Sequence, residues 1–235
     1  MIHLYKKTFL ALLLGGGLTA QGQISNEGTL SITENTTLVF FNDFSNTASG
    51  MLSNNGEVHI KQNLINNGGF TFDDLLSNES ITHFSGNTIQ HISGSELLEI
   101  PRLQLNNALG YQLAAHILVG KQVNFTNGII HNQAFGGEIS FEPNANHNNA
   151  NNQSYVDGMV LKTGGENFIF PIGANEQYHA LSLSNNRSSS SLFSAQYFAE
   201  NSNDSYPHNQ KDAVIEIIAE TEYWNLEQIQ GTSSA

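Results

Sequence analysis

The sequence predicts an all-β protein: an N-terminal β-solenoid or β-helix-like series of strand repeats, followed by an antiparallel β-sandwich. Three observations carry this reading. The pattern N-x-G-x-Φ-x-Φ, with Φ apolar, begins at Asn26 ("NEGTLSI"), Asn54 ("NNGEVHI") and Asn66 ("NNGGFTF"). An Asn-Gly corner suits a turn with positive φ, and alternation with period two suits a strand with one buried face. Composition points the same way. Asparagine is roughly one residue in eight, 21 glycines are present, and charged residues are 12% against about 25% in an ordinary domain. Asn and Ser compete with helical backbone hydrogen bonds, so this composition favours turns and ladders over helices. Finally, "EPNANHNNANNQ" (Glu142–Gln153) is almost devoid of apolar side chains and divides the chain in two.

Residues 1–22 read as a secretory signal. Lys6 and Lys7 form a basic start, an apolar run begins at Phe9–Leu14 and continues towards Leu18, and Ala20 and Gly22 precede Gln23. Cleavage is expected after Ala20 or Gly22, which places the chain outside the cell or on its outer surface. The apolar run is broken by glycine and shorter than the ~20 residues of a membrane span. No later segment is apolar enough to cross, so the mature chain is expected to have no transmembrane span.

Residues 23–141 form the solenoid-like region. "TLSI", "EVHI" and "GFTF" alternate, as do the later runs "LQL", "YQL" and "ILV". Pro101 interrupts the one helix-compatible stretch, "SELLEI". The repeat intervals are uneven, 54 − 26 = 28 and 66 − 54 = 12, so an ordinary meander or sandwich with Asn-Gly hairpins is the alternative. Residues 142–153 are expected to be a linker, since Asn tolerates left-handed backbone. Residues 154–235 are expected to be sandwich-like and truncated at the C-terminus. There "SYVDGMVLKTGGENFIFPIG" reads as an opening hairpin, with "TGGE" as its reversal and Lys162 and Glu166 pairing at the surface across it. "YHALSLS", "SLFSAQYFAE" and "AVIEIIAETEYWNLEQI" supply later strands, the last because its β-branched and aromatic residues favour strand over helix.

The formal charge is −13, with only eight Lys and Arg. Such a surface repels phosphate, which argues against nucleic acid and anionic lipid as partners. The absence of cysteine leaves neither a disulfide framework nor a thiol nucleophile. No G-x-S-x-G, H-E-x-x-H or G-x-G-x-x-G occurs, and Ala115 stands where a phosphate loop ending at Gly120-Lys121 needs glycine. His83, His91 and His116 sit in strand-like text without a second ligand at metal spacing. Asp73-Asp74 and Glu216, Glu220 and Glu222 read as solvated faces. No catalytic, cofactor-binding or metal-binding residue is therefore assigned, and no cofactor is expected. A Ca²⁺-stabilised domain is the weakest rival, because Asn148–Asn152 lack alternating carboxylates. Sequons such as those at Asn35 and Asn78 are expected by chance in a chain this rich in Asn, Ser and Thr.

Two longer motifs carry a family resemblance. Phe84, Gly86, Gln90, Ile92 and Gly94 fit F-x-G-x-x-x-Q-x-I-x-G. Ser154, Tyr155, Val156, Gly158, Lys162, Gly164, Phe168, Phe170, Pro171 and Gly173 fit S-Y-V-x-G-x-x-x-K-x-G…F-x-F-P-x-G. With the leader and "EYWNL", the order resembles the N-terminal portion of large secreted, cell-surface proteins of Bacteroidota exported by the type IX, gliding-linked route. That group is functionally mixed, and its C-terminal sorting domain does not follow here, so a fragment of a larger exported protein is expected. The expected function is non-catalytic: a structural or adhesin-like surface protein. The alternative is a glycan-binding module, or an accessory part of a polysaccharide-acting enzyme, with Tyr178, Tyr206 and Trp224 available to stack on sugars.

Overall fold

The computed structural model describes residues 22–72, 79–184 and 189–231, and the backbone of Ile2–Leu4 and Phe9–Ala11. The expected leader therefore lies almost wholly outside the described residues. The chain is all-β, 52% strand and 3% helix, and its main body is a β-solenoid of about 6 turns.

Each of the first coils has three short strands. They are Ile24–Asn26, Thr29–Ile32 and Thr37–Phe40, then Phe44–Asn46, Met51–Asn54 and Glu57–Ile60, then Leu64–Asn66, Gly69–Thr71 and Ile81–Phe84. Equivalent strands of successive coils pair in parallel, which builds three faces. Gln90–Ser93, Tyr111–Leu113, Ile130–His131 and Val156–Asp157 extend the first face. Two long strands, Leu98–Asn106 and His116–Asn127, run across the second and third faces without a full corner. Their pairing is irregular between Ile100 and Arg102. Pro101 therefore sits at a bulge inside a strand, where its missing N–H costs no ladder bond.

Alternation sends every second side chain inward, and register stacks those side chains. Phe40, Ile60, Phe84, Leu105 and Phe125 follow one another along the third face, and all are buried. Each such side chain contributes about 1.5–3 kcal/mol by leaving water. A stack of this kind needs no single large core; every coil buries its apolar row on its neighbours.

The repeat length is visible in the corners. Asn26, Asn46 and Asn66 lie 20 residues apart and form an amide ladder, with Asn26 Nδ2 donating to Asn46 Oδ1 at 2.8 Å and Asn46 Nδ2 to Asn66 Oδ1 at 2.9 Å. Asn54 belongs to the next corner of the coil. There its Oδ1 accepts from Gly56 N at 3.1 Å, as Asn26 Oδ1 does from Gly28 N at 3.4 Å. The intervals of 28 and 12 thus mix two corners of one 20-residue coil: 28 = 20 + 8 and 12 = 20 − 8, where 8 is 54 − 46. The first resemblance motif has the same structural work. Gln90 is fully buried, donates to Ile60 O at 3.0 Å and Gln62 O at 2.8 Å, and accepts from Gly86 N at 2.9 Å. Gly94 has φ +131°, and a Cβ there would stand 1.9 Å from Asn66 O, so the corner passes too close for any side chain.

Three expectations about the second half are corrected. The segment expected as a linker carries a strand: Asn146–Asn148 pairs in parallel with Gln122–Asn124. Its asparagines face outward, while the inward positions are buried Ala145 and half-buried His147. The hairpin expected at "TGGE" does not form. Val160–Thr163 stacks in parallel on Glu138–Phe141 as a further rung, and Phe168–Phe170 pairs instead with Leu181–Leu183. Burial decides this, because Phe168 packs at 5.0 Å on Phe141 below it. The antiparallel strands that follow are continuous with the solenoid. Leu192–Phe198 joins the edge of Val160–Thr163, and Tyr223–Gln230 joins Leu192–Phe198. The sheets are mostly parallel, and a separate antiparallel sandwich is not what these pairings build. Of "AVIEIIAETEYWNLEQI" only Tyr223–Gln230 is strand; Val214 and Ile217 are 85% and 87% exposed.

Lys162 corrects the surface reading of its ion pair. It occupies the inward position that continues Ile100, Val119 and Phe141, and it is fully buried. Its Nζ donates to Glu142 O at 2.6 Å and to Glu166 Oε1, and lies 5.3 Å from the centre of the Phe168 ring. Burial lowers the Lys162 pKa, and the Glu166 carboxylate opposes that shift.

Candidate functional site

The second resemblance motif builds one wall of a groove. Ser154 is buried and its Oγ donates to Gly128 O at 3.1 Å, which ties this coil to the one below. Tyr155, 1% exposed, packs against Gly173; a Cβ at Gly173 would stand 3.0 Å from the ring. Burial raises the Tyr155 pKa to about 12, a shift that the nearby backbone of Glu176 and Gln177 opposes. Those residues belong to a tight antiparallel turn in which Gly173–Ala174 pairs with Gln177–Tyr178. Asn175 and Glu176 at its tip have φ of +52° and +60°. Positive φ at both positions is what a two-residue type I′ hairpin turn requires, and Glu carries it at some cost because, unlike Gly or Asn, it does not favour left-handed backbone. Asn152 Oδ1 accepts from Tyr178 N at 2.9 Å and clamps the turn to the corner beside it.

The groove beneath this turn is lined by Leu109, Asn127, His131, Asn152, Gln153 and Glu176, among others. His131 Nδ1 and Asp157 Oδ2 are 2.9 Å apart, on neighbouring strands whose register places them opposite one another. Among the described residues, neither lysine nor arginine lines the groove. Its chemistry is that of amides, the His131 imidazole held from behind by Asp157, the Glu176 carboxylate and short apolar patches. Fixed donors and acceptors of this kind suit a neutral polyhydroxyl ligand.

The residues singled out in the sequence are scattered. His91 and His116 are exposed, and His116 Nδ1 lies 3.7 Å from Glu138 Oε1. His83 stacks on His59 on the outer side of the third face, with ring centres 4.0 Å apart. Asp73-Asp74 and Asn78 lie outside the described residues. Glu216 and Glu220 are exposed, and Glu222 accepts from Tyr197 Oη at 2.6 Å. The three aromatics do not form one platform. Tyr178 is half-buried beside the turn. Trp224, 40% exposed, packs on Tyr197 and His179 and donates from Nε1 to His179 O at 3.1 Å. Tyr206, 54% exposed, meets the edge of Tyr223.

Sequence reasoning missed His131, Asp157, Asn152 and Glu176 as a group. They are gathered by inter-coil register and by a turn whose backbone is not written in residue type. The available signal was a second asparagine cluster next to "SYVDG", whose aspartate falls one rung from "IIH". No helix among the described residues is long and apolar enough to cross a membrane. Comparison with protein-family models, curated proteins and solved structures finds no match.

Proposed function

We propose that this chain is a non-catalytic, exported structural or adhesin-like protein of the outer cell surface, in keeping with the leader and the resemblance to type IX-exported proteins. The observation that carries the reading is the solenoid itself. Its rungs give a stiff, extendable support on which outward residues repeat at about 4.8 Å. One outward row continues from His83 through Gln104 to Asn124, where Asn124 Nδ2 donates to Gln104 Oε1 at 2.7 Å. Surfaces of this type meet extended partners along many weak contacts. Edman sequencing of the exported protein tests the export step: a mature start at Gln21 or Gln23 supports it, and retention of Met1 opposes it.

A second reading, a glycan-binding module, is favoured by the groove. Its amide walls, with neither lysine nor arginine among the described lining residues, fit a neutral polysaccharide. The test is a glycan array with the full chain and with Asn152→Ala and His131→Ala. Binding that falls at least tenfold in both variants supports it; no binding, or binding unchanged by both, opposes it. Release of reducing sugar that depends on Glu176 or Asp157 would overturn the non-catalytic assignment.

A further inference from the structure

We propose that Glu57, His59 and His83 form a binding site for a divalent transition-metal ion of the zinc class. His59 and His83 are 83 − 59 = 24 residues apart but occupy the same register position on adjacent rungs. Their rings stack with planes within 4°. Glu57 precedes His59 by two residues, so alternation brings both to the outer side of one strand, and Glu57 Oε2 lies 3.5 Å from His59 Nε2. One donor atom from each of the three residues lies within 4.8 Å of the others.

A second observation points to a ligand. His83 Nε2 is buried and has no hydrogen-bond partner. The outward row beyond it is closed differently, since Gln104 and Asn124 bond to each other at 2.7 Å. The histidine end alone presents a donor set whose nitrogen is unused. Two imidazoles with one carboxylate match zinc, copper or nickel rather than calcium or magnesium, which take oxygen ligands.

The geometry needs a small adjustment. Zinc–nitrogen and zinc–oxygen bonds of about 2.0–2.2 Å put tetrahedral donors roughly 3.3 Å apart. Side-chain rotation must therefore draw the donors together by at most about 1.5 Å and tilt the stacked rings so that their lone pairs converge. The backbone need not move, because adjacent rungs are already about 4.8 Å apart. The fourth position is left to water, as in open three-ligand sites. Burial lowers the pKa of both imidazoles, that of His83 to about 4. The nearby cation is Lys61, whose ammonium is engaged by Ser85 Oγ at 2.8 Å.

The test uses the full chain, stripped with chelator and titrated with Zn²⁺ by calorimetry and with Co²⁺ by visible absorption. The expected result is one saturable site, a raised thermal midpoint and four-coordinate Co²⁺ bands. His83→Gln should weaken Zn²⁺ binding about a hundredfold or more, beyond the loss seen when an outer-shell partner is removed. Glutamine continues the amide row of Gln104, so this variant keeps the fold, which far-UV circular dichroism checks. His116→Gln, which removes an exposed histidine elsewhere, should leave binding unchanged. Equal affinity in His83→Gln and the unaltered chain, or no saturable site at sub-millimolar Zn²⁺, overturns the assignment.

Discussion

Replacing Asn46 by alanine should destabilise the N-terminal coils by about 3 kcal/mol. Asn46 is fully buried, donates to Asn66 Oδ1 and to Gly69 O, both at 2.9 Å, and accepts from Asn26 Nδ2 at 2.8 Å. Three hydrogen bonds disappear, at a net worth of about 1 kcal/mol each, and a buried acceptor (Asn66 Oδ1) and a part-buried one (Gly69 O) lose their donor. Asn26→Ala is the control. Asn26 is half-exposed at the end of the ladder, so water replaces its partners and the cost falls to about 1 kcal/mol. Asn46→Asp should be at least as damaging as Asn46→Ala at neutral pH, since a carboxylate offers no donor to Asn66 Oδ1 or Gly69 O. The assay is urea unfolding by circular dichroism, paired with hydrogen exchange at Asn67 and Gly69, whose amides bond to Asn46 O and Gly50 O. Exchange is needed because repeat arrays can open locally without global unfolding. A cost for Asn46→Ala below about 0.5 kcal/mol, the range of an ordinary surface change, would refute the ladder as a stabilising element. So would equal costs for Asn26→Ala and Asn46→Ala.

Two further outcomes follow from buried ionisable groups. Glu166→Ala should cost more stability than Lys162→Met, by about 1–3 kcal/mol in urea unfolding, because the first strands a buried ammonium while the second extends the apolar row of Phe141; the reverse order would refute this. His147 packs edge-on among Phe125, Phe141 and Phe168, and Ile169 O lies 2.6 Å from its Nε2. Burial lowers its pKa from 6.5. The unfolded chain then binds the proton first, so His147's contribution is complete above about pH 6.5 and is lost as pH falls from there through the folded value. Urea midpoints at pH 7 and pH 5 should therefore differ less in His147→Asn than in the unaltered chain.

The strand text was legible wherever alternation and a corner coincide. "TLSI", "EVHI" and the runs inside Leu98–Asn106 and His116–Asn127 are strands because branched and aromatic residues alternate with polar ones. The coil length was less legible. Asn26 and Asn66 share a ladder, but Asn46 lacks the N-x-G spelling: its corner is "NTASG", with two extra residues before Gly50. Asn54 has the spelling at a different corner, so the pattern counted corners rather than coils. Residues 142–153 hid a strand because its inward positions hold only Ala145 and His147. Of the candidate groove, the sequence showed the motif that carries Tyr155 and Gly173. It did not show that the turn after this motif brings Glu176 to the groove that His131 also lines. The Glu57, His59 and His83 cluster was foreshadowed only by the matching position of histidine in "EVHI" and "ITHF".

Residue order alone determined the all-β class, the strand faces and the polar, acidic surface, because these depend on side-chain period, turn chemistry and charge, which are local. Tertiary structure decided the rest. Whether "TGGE" reverses the chain or carries it to the next face depends on what lies beneath Phe168, and that is Phe141 of an earlier coil. Whether Lys162 is a surface charge or the buried end of an apolar row depends on the rung it stacks upon. In a solenoid each residue's neighbours are set by register between coils, and register follows from the packing of all the rungs together rather than from any one stretch of sequence.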